Sequence, residues 1–220
     1  MHNDILEVLV TEEEIVSISK SLGEIITNDY MNKTPLLVGL LNGCVPFMAE
    51  LIKHINTNLE IQFMDVSSYH GGMKSSGDIN IKYDLKTSVK DRDVLIVEDI
   101  IDTGNTINVI YDLIKYRGAK SVKVVTLLDK PSGRIIDFNP DYIGKVIPNK
   151  FVVGFGLDYE ELYRNLPYIG VLKPKVYTKW GILNDTKTKK ITNPPWFFSN
   201  NYYYTSRNWS LFLFYPNATR

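Results

Sequence analysis

Cysteine is almost absent from this chain: Cys44 stands alone in 220 residues. That excludes an internal disulfide and fits a reducing compartment. An excess of one charge is missing too. Twenty-five basic residues balance 25 acidic ones, so no global field favours a nucleic acid. No apolar run approaches the ~20 residues of a membrane helix. No basic-then-apolar leader opens the chain, because Asp4 interrupts the start. His2 and His54 have no partners at metal-ligand spacing, which argues against a zinc site. Neither a Gly-x-x-x-x-Gly-Lys nor a Gly-x-Gly-x-x-Gly phosphate loop occurs. What remains is the expectation of a soluble, cytoplasmic protein with one substantial core, in one domain or one plus an appendage.

What is present is an alternation of strands and helices. Thr11 and Glu14 form a capping box, and Ile15, Ile18, Leu22, Ile25 and Ile26 carry the helix to about Asn28. Leu36 to Leu41 reads as a short buried strand. Asn42-Gly43-Cys44 turns it into a helix with Phe47, Met48 and Leu51 on its core face. A second strand spans Leu59 to Val66, followed by a polar, glycine-bearing loop from Ser67 to Gly77. Val94 to Val97 predicts a strand buried on both faces, and Ile107, Ile110, Leu113 and Ile114 predict a helix over 104–117 that Gly118 closes. A strand from Val122 to Leu128 follows, then shorter extended pieces at Tyr142-Ile143-Gly144 and Phe151 to Gly154. This order predicts an α/β fold, with a central mostly parallel sheet flanked by helices and function at the strands' C-terminal ends.

The densest signal follows Val97. Glu98 and Asp99 are adjacent acids, and Asp102-Thr103-Gly104-Asn105-Thr106 is a turn of small polar residues opening a helix. Such a turn aims backbone N–H groups and the positive helix end at one spot, a ready site for a phosphate. Two carboxylates would repel a bare phosphate. They make sense when the ligand also carries a sugar diol or a magnesium ion, as a ribose 5-phosphate does. An ordinary βα turn, with Asp102 as a helix cap and solvated acids, is the plainer reading; the full combination outweighs it.

From about residue 5 to about residue 178 the sequence resembles the 6-oxopurine phosphoribosyltransferases, close to the bacterial hypoxanthine or hypoxanthine-guanine enzymes. The marks are Val94 to Thr106, Ser67-Ser68-Tyr69, Leu127-Leu128-Asp129-Lys130, Lys150 to Gly154, and Leu157-Asp158-Tyr159 with Arg164. Pro167 to Pro174 further resembles the bacterial form. The resemblance implies a type I phosphoribosyltransferase fold with a small hood from the terminal segments. It implies transfer of phosphoribosyl from 5-phosphoribosyl 1-diphosphate to N9 of hypoxanthine or guanine, giving IMP or GMP and pyrophosphate. It also implies a magnesium cofactor and a homodimer or homotetramer.

By the same resemblance, Glu98 and Asp99 hold the ribose hydroxyls, partly through magnesium, and Asp102, Thr103, Gly104, Asn105 and Thr106 cradle the 5-phosphate. Asp102 also faces the purine N7 as proton acceptor. Lys130 donates to the 6-oxo group, Phe151 stacks on the base and the Val152 backbone meets its edge. Asp158 binds a second magnesium, while Arg164 and the Leu41-Asn42-Gly43 turn meet pyrophosphate. Ser68 and Tyr69 begin a lid that includes His70. Taken alone, Lys130 reads as a solvated strand-end charge, Phe151 as core, Asp158 as a turn residue and Arg164 as a helix-surface charge. Only the resemblance moves them to a site. Asn42 departs from the pattern, since many relatives carry Lys or Arg there, and this implies weaker diphosphate binding.

Other classes fit less well. A regulatory sensor on this fold would need a nucleic-acid surface, and residues 1–180 show neither a basic patch nor a helix-turn-helix. An amidotransferase would need a nucleophilic cysteine in a glutaminase domain, for which there is no room. Residues 181–220 differ in character, with ten aromatic residues, five basic and one acidic. A body of charge −4 therefore carries a segment of charge +4. Its lack of any period predicts a poorly ordered extension beyond the 1–180 domain.

Overall fold

The computed structural model describes residues 1–68 and 79–178. The expected lid residues from Tyr69 onward, His70 included, and the segment 181–220 lie outside the described residues. Six strands form the main sheet: β2 (Leu36–Leu41), β3 (Glu60–Ser68), β4 (Ile79–Tyr83), β5 (Asp93–Ile101), β6 (Ser121–Asp129) and β7 (Tyr142–Val146). Their order is β4-β3-β2-β5-β6-β7, parallel throughout except for β4 at one edge. The helices α1 (Glu12–Asp29), α2 (Cys44–Leu51) and α3 (Asn105–Tyr116) cover its faces.

The apolar strands explain that layering. In β5, Leu95 and Val97 pack with Ile15, Leu22 and Ile26 of α1 and Phe47, Met48 and Leu51 of α2. Val94 and Ile96 pack on the other face with Ile107, Ile110 and Ile114 of α3. Each such fully buried side chain is worth about 1.5–3 kcal/mol of transfer free energy, so a strand apolar on both faces is stable only between two helix layers. The Thr11–Glu14 capping box forms as expected, and Gly118 follows α3 with φ +84°.

A smaller antiparallel sheet, β1 (Ile5–Val10), β9 (Ile169–Leu172) and β8 (Val152–Val153), makes the hood. Ile5, Val153, Leu166 and Leu172 form its own cluster, flanked by Phe151, Tyr159, Tyr163 and Tyr168 and by Val176 and Tyr177 of a short helix, α4 (Pro174–Tyr177). Three strands were not legible in sequence: β1, β4 and β9. The loop expected from Ser67 is corrected at its start. Ser67 and Ser68 continue β3 and pair with Asn80 and Ile79 of β4. Glu98 and Asp99 also lie inside β5 rather than after it. Among the described residues no helix is long and apolar enough to cross a membrane.

Candidate active site

Strands β2, β5 and β6 are neighbours in the sheet and end at Leu41, Ile101 and Asp129, so the turns after them converge. Asp102 and Lys130, one residue past β5 and β6, are both buried, and Lys130 Nζ lies 2.6 Å from Asp102 Oδ2. Asp102 Oδ1 is buried and has no hydrogen-bond partner. Gly133, in the turn Pro131–Gly133, lies against that oxygen; a Cβ there would overlap it. Lys130 is therefore no solvated strand-end charge, and Asp102 does not cap α3.

The helix entrance is built from backbone instead. Gly104 occupies the N-cap position with φ +83°, which an L side chain rarely adopts. Thr103 Oγ1 accepts from Asn105 N–H at 3.3 Å. The helix ladder begins with Asn108 N–H donating to Gly104 O, so the N–H groups of Thr106 and Ile107 fall before it, and no acid occupies the first turn. The Asp102–Thr106 turn thus combines unladdered donors with a positive helix end, suited to a phosphate.

On the other side stand the acids. Burial raises the Glu98 carboxyl well above the usual range, and the adjacent Asp99 charge adds to the effect. Burial pushes Asp99 up to about 6, although the Ile100 N–H donates to it at 2.8 Å and the Arg164 charge opposes the rise. Gly43 fits against Asp99. Its φ of −61° suits any residue, but a Cβ would overlap Asp99 Oδ2. Gly156 (φ +100°) fits against Gly43 in turn, where a Cβ would overlap the Gly43 carbonyl. The Leu41–Asn42 peptide just before Gly43 is cis, and Asn42 is exposed. Behind this turn Cys44 is buried, and burial with the two acids pushes its thiol far up, the opposite of an activated nucleophile.

Arg164 lies in a turn rather than on a helix. Its Nη2 is 2.9 Å from Asp158 Oδ1 and 2.9 Å from Glu161 Oε2, and its Nη1 donates to Gly156 O at 2.7 Å. Asp158 Oδ2 accepts from Glu161 N–H at 2.9 Å; burial raises this carboxyl, and the Arg164 charge partly offsets that. Asp99, Asp158, Arg164 and the Gly43 turn therefore share one charged corner. No group of three His, Cys, Asp or Glu among the described residues forms a ready metal cage. The chemistry of the donors still fits a hard divalent ion. Asp99 and Asp158 carry buried carboxylates that share the single Arg164 charge described above, and magnesium takes one or two such oxygens with the rest from phosphates and water.

Phe151 and Val152 belong to the hood. Phe151 stacks on Tyr177 with centroids 5.0 Å apart and meets Tyr159 edge-on at 5.7 Å. Val152 pairs with Val171. Neither is joined to Asp102 or Lys130 by a hydrogen bond or ring contact among the described residues. Sequence reasoning missed Arg134, a partly buried guanidinium that pairs with the buried Asp129 carboxylate at the end of β6. A Pro-Ser-Gly turn just after Lys130 was the one signal that the chain folds back there.

Comparison with known proteins agrees with this geometry. A family profile described as phosphoribosyl transferase domain matches residues 7–160. The hypoxanthine-guanine phosphoribosyltransferase of Lactococcus lactis subsp. lactis is 64% identical over 173 residues, covering 79% of this chain and 94% of that protein. The enzyme of the same name from Streptococcus agalactiae serotype V is 58% identical over 179 residues, covering 81% and 99%. The crystal structure of a hypoxanthine phosphoribosyltransferase from Staphylococcus aureus superposes with a TM-score of 0.78 at 56% identity, covering 80% of this chain and 96% of that one.

Proposed function

The chain belongs to the phosphoribosyl transferase family, and we infer that it transfers the 5-phosphoribosyl group of 5-phosphoribosyl 1-diphosphate to N9 of hypoxanthine or guanine. The products are IMP or GMP and pyrophosphate, a purine-salvage reaction. The observation that carries this reading is the buried Lys130–Asp102 pair beside a phosphate-type turn. A 6-oxopurine carries an acceptor, O6, next to a protonated ring nitrogen, N7–H. Lys130 offers donors only and the Asp102 carboxylate accepts, so the pair complements that edge. The 6-amino group of adenine would set donors against donors.

In this reading N9 attacks C1′ while the C1′–O bond breaks and its electron pair leaves with pyrophosphate. Bond breaking runs ahead, giving C1′ oxocarbenium character. Asp102 takes the N7 proton, and its partnerless Oδ1 is the natural acceptor; such a base supplies ~100- to 10,000-fold. The Asp102–Thr106 backbone and the α3 entrance hold the 5-phosphate. Glu98 and Asp99 orient the ribose hydroxyls. Arg164 and the Leu41-Asn42-Gly43 turn receive the charge that builds on pyrophosphate. Phe151 stacks on the base, with the Val152 backbone at its edge.

Magnesium is the cation proposed for this corner: Glu98 and Asp99 would hold one ion and Asp158 a second. When bound it would supply charge neutralisation for the diphosphate. Residence in the cytoplasm and assembly as a homodimer or homotetramer belong to the same reading, and sedimentation measures the assembly. Formation of a nucleoside monophosphate from 5-phosphoribosyl 1-diphosphate, magnesium and hypoxanthine tests the reaction; its absence would overturn it.

A further inference from the structure

Arg134 makes a set of contacts that a simple ion pair does not need. Its Nη2 donates to the buried Asp129 carboxylate, and the guanidinium itself is partly buried. Its Nη1 donates to two successive main-chain carbonyls, Ile101 O at 2.7 Å and Asp102 O at 2.6 Å. Its Nε donates to Phe138 O at 3.1 Å. One planar fork thus fastens the last residue of β5, the first residue of the phosphate turn, the last residue of β6 and the far end of the 131–138 loop. That loop also leans on the turn directly. The N–H groups of Ile135 and Ile136 donate to Thr103 O at 2.9 and 3.1 Å. A Cβ on Gly104 would come within 3.0 Å of Ile136 O and 3.4 Å of Arg134 Cδ.

Resting on the reading above, we propose that Arg134 is a positioning residue for both the proton acceptor and the phosphate cradle. The physical link is peptide planarity. In a trans peptide the C=O and the following N–H point in opposite directions. Fixing Asp102 O on the guanidinium therefore sends the Thr103 N–H the other way, out of the loop that Arg134 fills and toward the phosphate side. Fixing Ile101 O and Asp102 O together sets both peptide planes around the Asp102 Cα, and so the direction in which its carboxylate leaves the chain. Arg134 touches no reacting atom in this scheme. It acts by removing the freedom of the two peptides that flank Asp102. A lysine at this position would keep the charge opposite Asp129, but one ammonium cannot span three carbonyls in that fixed geometry.

The test compares R134K with D129N, measuring kcat, the KM values of 5-phosphoribosyl 1-diphosphate and hypoxanthine, and the melting temperature. Misplacing a catalytic group by ~1 Å costs on the order of 100-fold. R134K is expected to lose turnover on that scale and to raise the diphosphate substrate's KM, with little change in the hypoxanthine KM. D129N keeps an oxygen for Nη2 and leaves the three carbonyl bonds, so it is expected to melt lower while kcat stays within about twofold. Guanidinium ion added to R134G should restore part of the lost kcat. R134K with normal kinetics, or D129N losing turnover as R134K does, would overturn the proposal. If R134K does not fold, the D129N result and the guanidinium rescue decide it. A wild-type protein without turnover would count against the reaction, not against the role of Arg134.

Discussion

Lys130 Nζ donates to Asp102 Oδ2 at 2.6 Å, with both side chains buried. The donor and the acceptor proposed to read a 6-oxopurine therefore satisfy each other before a base arrives. In the proposed site Asp102 Oδ2 keeps Lys130 while the partnerless Oδ1 is left to accept the N7 proton.

That relationship predicts a separation of stability from catalysis. D102N keeps an oxygen for Lys130 but removes its counter-charge, so it should fold with a smaller loss of stability than K130M, while kcat falls ~100- to 10,000-fold with the loss of the base. K130M leaves Asp102 as a buried carboxylate without its partner and should cost about 3–5 kcal/mol. The double variant D102N/K130M should recover much of that cost, because no buried charge remains. Urea unfolding of the three variants measures the cycle; equal destabilisation of K130M and the double variant would contradict the pairing.

Asn42 leads to a prediction on substrate affinity. It is exposed at the turn assigned to pyrophosphate, so a longer side chain has room there. N42K should lower the KM for 5-phosphoribosyl 1-diphosphate by about two- to fivefold, the modest scale of a solvent-screened charge contact. Steady-state kinetics at fixed hypoxanthine checks this, and an unchanged or higher KM would sink it.

Asp99 gives a pH prediction. Its carboxyl is pushed from 3.8 to about 6 by burial. Between those values the folded chain binds more protons than the unfolded one, so this group lowers stability as pH rises from about 4 to about 6, and the cost is complete above that. D99N removes the cost. It should raise the melting temperature at about pH 7.5, for a gain of at most about 3 kcal/mol at two pKa steps, and should raise it much less at about pH 4.5. Turnover should nevertheless collapse. Calorimetry at the two pH values reads the difference, and a gain of the same size at both would contradict the assignment.

What the sequence made legible follows from where each signal resides. Strands β2, β5 and β6 are apolar runs, and α1 and α3 show helical spacing, so the site's scaffold could be read directly. β1 could not, because Leu6 and Val8 are exposed and its pairing with β9 is irregular. β9 is four residues long and contains Gly170, needed where a Cβ would strike Ile5. β4 is an edge strand carrying Asn80 and Lys82, whose pairing with Ser67 and Ser68 has no local mark. The acids and the turn after them were visible as a motif. Arg134 was not: three of its four partners are main-chain carbonyls, and nothing in a sequence shows where a carbonyl points.

The most direct measurement is pyrophosphate release from 5-phosphoribosyl 1-diphosphate and magnesium, with hypoxanthine, guanine, xanthine and adenine supplied separately. A site that hydrogen-bonds one substrate edge rejects a mismatched one by about 10⁴-fold. The account predicts rapid release with hypoxanthine or guanine and essentially none with adenine. Release with adenine at a comparable rate, or with none of the four bases, would contradict the role given to Lys130 and Asp102.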